Sequence, residues 1–130
     1  MKIERFEELD CWKKARELAN LIYDLTERDR FKNDFRLCGQ VRDASGSTMH
    51  NIAEGFDAGS DAEFIRFLKI SRRSASEVQS ELYLALDRKY ITASQLQMAY
   101  DKAVEVKKLN NGLIGYLRGK KKQSNSRMVS

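Results

Sequence analysis

Apolar residues return at spacings of three and four along four successive segments of this chain, and no proline interrupts any of them. That period belongs to a helix with one buried stripe, so the sequence predicts an all-α fold. The first segment sets Leu9, Trp12, Ala15, Leu18, Ala19, Ile22 and Tyr23 on one face. The second aligns Leu37, Val41, Ala44, Thr48, Ile52 and Phe56, with Cys38 and Ser45 beside them. The third aligns Phe64, Phe67, Leu68, Ser71, Ala75, Val78, Leu82, Ala85 and Leu86. The fourth carries Leu96, Ala99, Tyr100, Ala103, Val106, Leu109, Leu113, Ile114 and Leu117. Helices are expected over about residues 8–28, 34–57, 61–89 and 92–118. Short connections favour antiparallel neighbours, so the expected architecture is an antiparallel up-down four-helix bundle over residues 1–117. A chain of 130 residues is one domain, long enough for a real core.

The helix ends carry their own signals. Asp10 is a candidate N-cap for the first helix, and the charge-dense run from Thr26 to Asp34 ends it. Phe31 and Phe35 bracket the connection to the second helix, which Asn33 or Asp34 can cap. Gly59-Ser60-Asp61 reads as a turn, with Ser60 or Asp61 capping the third helix. Arg88 and Lys89 suit the negative pole at its end. Thr92 followed by Gln95 is a capping-box pattern. Gly39 and Gly46 lie inside the second helix, where each costs about 1 kcal/mol relative to alanine. Their small size is expected to let a neighbouring helix approach closely. Gly46, Met49 and Ala53 also widen the apolar or small surface of that helix well past its stripe. It reads as the central helix of the bundle, as a helix that also meets a second subunit, or as both.

No catalytic constellation stands out, and the expectation is a non-enzymatic protein without cofactor or metal. His50 is the only histidine, which excludes a His-rich zinc site. Glu54, Glu77 and Glu81 lack the Glu-x-x-His pattern of ferritin-like carboxylate sites. No apolar run reaches the roughly 18 residues that span a membrane. The charged opening MKIERFEELD does not read as a signal peptide, so a cytoplasmic location is expected. In that compartment Cys11 and Cys38 are expected to be free, structural thiols.

Charge is distributed unevenly. The chain holds 24 basic and 19 acidic residues. Residues 118–130 contain five basic residues (Arg118, Lys120, Lys121, Lys122 and Arg127) and no acid, so residues 1–117 are balanced. This tail cannot bury a core and is expected to be flexible. It either attracts phosphate backbones or serves solubility. Arg66, Lys69 and Arg73 form a second basic line on the outer side of the third helix, where Arg73 can pair with Glu77. Asn51, Glu54 and Arg72 flank the apolar faces. A buried Glu54 would need a partner such as Arg72. Two functions stay open: an oligomeric nucleic-acid-binding module, or a scaffold for protein–protein contact.

One ordered series of residues adds a resemblance. Leu37, Gln40, Arg42, Ala44, Ser47 and then Asn51-Ile52-Ala53-Glu54-Gly55 are followed by Glu63, Phe67, Leu68, Ile70, Arg72, Ser74, Glu77 and Leu82. With the Trp12-x-x-Ala15 opening, the series resembles the 23S rRNA intervening-sequence protein family over roughly residues 6–117. The family usually has prolines where this chain has Lys32 and Met49, and often a small residue at the place of Arg73. The resemblance implies a four-helix bundle assembling into a ring, commonly a pentamer, in a bacterial protein. Relatives that accompany diversity-generating retroelements bind nucleic acid and a protein partner, a reverse transcriptase. On this resemblance Gln40, Arg42, Ser47, Asn51, Glu54, Gly55, Arg72 and Glu77 are structural or interface residues.

Overall fold

The computed structural model describes residues 2–129, with side chains described as far as Lys120. Four helices follow one another: α1 (Asp10–Thr26), α2 (Phe35–Asp57), α3 (Asp61–Asp87) and α4 (Ala93–Val129). Short 3-10 turns at Phe6–Glu8 and Phe31–Asn33 precede α1 and α2. Each helix packs on its sequence neighbours, and α4 closes the square against α1. Cross-helix contacts show that neighbours are antiparallel. Ser47 meets Ser74 while Gly55 meets Phe64 and Phe67. Lys107 meets Gln79 while Asn111 meets Arg72. The up-down four-helix bundle read from the periodicity is the fold observed.

Local chemistry sets the helix starts. Asp34, one of the two candidates, caps α2 by accepting the Leu37 N–H at 3.1 Å. Ser60 caps α3 through the Glu63 N–H at 3.2 Å. Thr92 and Gln95 form the reciprocal capping box, at 2.9 and 3.1 Å. Asp10 differs from expectation. Leu9 holds the N-cap position of α1 without a side-chain cap, and Asp10 is the first helical residue. Its carboxylate there still complements the positive end of the helix dipole. α4 continues beyond the expected end near Arg118 to Val129. The side chains of Lys121, Lys122 and Arg127 lie outside the described residues.

Two non-glycine residues take left-handed backbone angles, Asp29 at φ 44° and Lys89 at φ 63°. Both sit in turns at the same end of the bundle. Lys89 follows α3 in a Schellman arrangement. The Tyr90 N–H reaches back to the Ala85 carbonyl and the Lys89 N–H to the Leu86 carbonyl, each at 2.9 Å. Glycine usually fills that position, because a side chain there costs about 1 kcal/mol.

The core is formed where the four stripes meet. Leu18, Ile22, Val41, Ile52, Leu68, Leu82 and Val106 are fully buried. Phe31 is buried as well, stacked on Tyr90 with ring centroids 5.2 Å apart. One expected face residue, Tyr23, and one residue of the α1–α2 connection, Phe35, lie outside this core. Tyr23 is 44% exposed and Phe35 is 82% exposed. Tyr23 is half uncovered because it sits on the α1–α2 flank, where its ring supports the Arg42 guanidinium at 4.6 Å. Gly39 and Gly46 do not mark a close helix approach. A side chain at Gly39 would meet nothing within 4 Å, and one at Gly46 would touch only its own helix's His50. The close approach is at Gly55, where a Cβ would lie 2.8 Å from the Phe67 Cβ and 3.3 Å from the Phe64 carbonyl.

Candidate functional site

The polar residues within the bundle form two layers between helices. In one, the Ser71 hydroxyl donates to the Thr48 carbonyl at 2.7 Å and accepts from Asn110 Nδ2 at 3.0 Å. All three residues are fully buried, and together they join α2, α3 and α4. In the other, the Ser47 and Ser74 hydroxyls lie 2.9 Å apart, and Asn51 Nδ2 donates to the Ser47 hydroxyl at 2.9 Å and its carbonyl at 2.8 Å. Further out, Arg42 Nε donates to the Thr26 hydroxyl at 2.7 Å, fastening α2 to α1. Arg72 Nη1 donates to Asn111 Oδ1 at 2.7 Å, fastening α3 to α4.

A family model described as the 23S rRNA-intervening sequence protein matches residues 7–112. The chain belongs to that family. A solved structure of a protein with unknown function, from the S23 ribosomal protein family of Bacteroides thetaiotaomicron, is similar to it. The two are 29% identical with a TM-score of 0.71, over 80% of this chain and 97% of that chain. A comparison with curated proteins finds no match.

The residues that this chain shares with the family pattern therefore have definite places. Arg42, Ser47, Asn51, Gly55 and Arg72 lie at contacts between helices. Gln40, Glu54 and Glu77 face outward and are exposed. Glu54 needs no buried partner, and Arg72 is engaged by Asn111 instead. The basic line on α3 is uneven. Arg66 pairs with Glu63 at 3.1 Å and lies over the Phe67 ring at 4.5 Å. Lys69 is half-buried, while Arg73 is exposed. Among the described residues Arg73 and Glu77 form no ion pair. Arg118 is exposed, and Lys120 lies 3.8 Å from Asp61 at the α2–α3 turn.

Two features are not evident from the sequence. Asn110 sits in the middle of an apolar stripe and is fully buried. Glu81 Oε2 is covered and accepts no hydrogen bond among the described residues. Burial, with the neighbouring Glu77 and Asp43 carboxylates adding to it, pushes Glu81 up to about 7. Burial likewise pushes the Cys11 thiol up to about 12, and both cysteines are free and buried. No group of three or more metal-ligating side chains converges among the described residues. No helix among them is long and apolar enough to cross a membrane. A depression of about 1380 Å³ runs along α1 and α4. It is an open groove crossed by the Lys14–Glu105 and Lys102–Glu17 ion pairs.

Proposed function

We propose that this protein is a non-catalytic helical-bundle module that binds RNA or DNA through basic side chains and assembles with further copies of itself. The observation that carries this reading is the charge distribution. Residues 1–117 are balanced, and the whole surplus of +5 falls within residues 118–130. A polyanion is attracted to such a segment, and binding releases its counterions. Exposed Arg73 adds a positive charge on α3 that no ion pair among the described residues offsets. The pentameric ring implied by the family resemblance would repeat these charges once per subunit, so weak contacts would reinforce one another. The two buried free thiols accord with a reducing cytoplasm.

A salt series tests the reading. Full-length protein is expected to bind structured RNA or duplex DNA at moderate salt. Replacing Lys120, Lys121 and Lys122 with glutamine is expected to flatten the slope of log K against log salt by about 2 to 3 on duplex DNA. An unchanged slope would move the contact away from the tail. Failure of the wild type to bind at all would leave the second reading, a scaffold for protein contact. The exposed apolar side chains of Tyr83, Leu84 and Met98 favour that second reading.

A further inference from the structure

The end of the bundle opposite Lys120 has an unusual surface. It is built from the α1–α2 connection and the α3–α4 turn. Residues 27–36 and 87–89 hold six basic and four acidic residues. None of the six basic side chains forms an ion pair among the described residues. One of the four acids is already engaged internally. Asp34 accepts the Leu37 N–H through Oδ1 and the Tyr90 hydroxyl, at 3.0 Å, through Oδ2. Arg30 stands over the Tyr90 ring at 5.9 Å.

Aromatic surface is displayed at the same end. Phe35, in the first turn of α2, is the most exposed large apolar residue of the described chain. Its ring is not part of the core. Five of the six exposed large apolar residues (Tyr23, Phe35, Tyr83, Leu84 and Met98) lie in this half of the bundle, so its exposure is not an isolated case. The backbone adds an independent observation. Both left-handed non-glycine residues are here, and one of them is a lysine where glycine fits better. A side chain held at a strained position points to a use for that side chain.

We propose that this end of the bundle binds an unpaired strand of nucleic acid, with Phe35 stacking on a base and Arg30, Lys32, Arg36, Arg88 and Lys89 meeting the phosphates. The inference rests on the nucleic-acid reading above and adds the surface and the state of the strand. Exposed aromatic rings among cations that form no ion pair among the described residues suit single strands, because unpaired bases offer their faces and a duplex hides them. The site is also separate from the basic tail. α3 alone, with 27 residues, sets the two ends roughly 40 Å apart.

The test measures binding of labelled oligouridine, oligothymidine and a duplex of equal length to the full-length protein across salt. Phe35→Ala is expected to weaken single-strand binding by about fivefold or more and to leave duplex binding nearly unchanged. Lys89→Gly is expected to lower the single-strand salt slope by about 0.7, the share of one phosphate contact. It is also expected to raise the melting temperature, so a binding loss cannot be ascribed to unfolding. Wild-type behaviour of both variants would overturn the inference. So would an equal loss of single-strand and duplex binding by Phe35→Ala. A loss seen only with the tail substitutions would overturn it while leaving the nucleic-acid reading intact. No binding by the wild type would overturn both.

Discussion

Gly55→Ala is expected to destabilise the bundle by about 2 kcal/mol, although alanine is the better helix former. The added Cβ would lie 2.8 Å from the Phe67 Cβ and 3.0 Å from Phe64 Cδ1. A Cβ is fixed to the backbone and cannot rotate away, so α2 and α3 must separate or Phe64 must leave its place. Phe64 is buried and packs edge-on against Phe56 at 6.0 Å, which makes that movement costly. The gain of about 1 kcal/mol in helix propensity offsets only part of the cost. Gly39→Ala, on the same helix but in open space, is the control. It is expected to stabilise by about 0.5–1 kcal/mol. Thermal or denaturant unfolding followed by circular dichroism gives both values. Equal effects of the two substitutions would refute the close approach.

The second large effect is a dependence of stability on pH centred on Glu81. Its folded-state pKa, about 7, lies above the ordinary 4.5 because of burial first and the Glu77 and Asp43 carboxylates second. Asp43 faces it from α2 and Glu77 from its own helix, one turn earlier. The charges that act on it are both negative. A group whose pKa rises on folding contributes stability that is complete below its unfolded pKa. That contribution is lost as pH rises through the folded value. The bundle is therefore expected to lose stability between about pH 4.5 and about pH 7. The residue keeps partial contact with water, so the screened loss is on the order of 1–2 kcal/mol. Glu81→Gln keeps the shape and removes the titration. Melting temperatures across this range should fall for the wild type and stay level for the variant. A variant that follows the wild-type slope would assign the effect to other groups.

These two sites show where sequence reading succeeds and where it stops. The faces of all four helices were legible, because burial follows the helical period directly. The Ser60 cap and the Thr92–Gln95 box were legible because each is a local pattern within four residues. Which small residue marks a close contact was not. Gly39, Gly46 and Gly55 look alike in one dimension, and only the partner helix distinguishes them. Glu81 was visible only as one of several carboxylates, since its burial depends on how α2 lies against α3. Asn110 carries no signal in the sequence, because a polar residue inside an apolar stripe has no recognisable meaning until Ser71 is seen opposite it. Arg66, Lys69 and Arg73 shared a face as expected. Their differing exposure and pairing depended on Glu63 and Phe67, whose side-chain positions a sequence does not state.

The Thr48–Ser71–Asn110 layer has a consequence for the height at which α4 sits. Sliding α4 by one turn in either direction would bring Val106 or Ile114 to the level of Ser71, and both are buried apolar residues. The Asn110 amide would then be stranded among hydrocarbon side chains, at a cost of about 1–3 kcal/mol for the unmet hydrogen bonds. Apolar contacts alone would tolerate such a slip more readily, because one aliphatic layer resembles the next. The layer thus works as a depth stop. It fixes the level at which Arg118 and Lys120 leave the bundle, and a buried amide in the middle of the protein determines where its basic terminus begins.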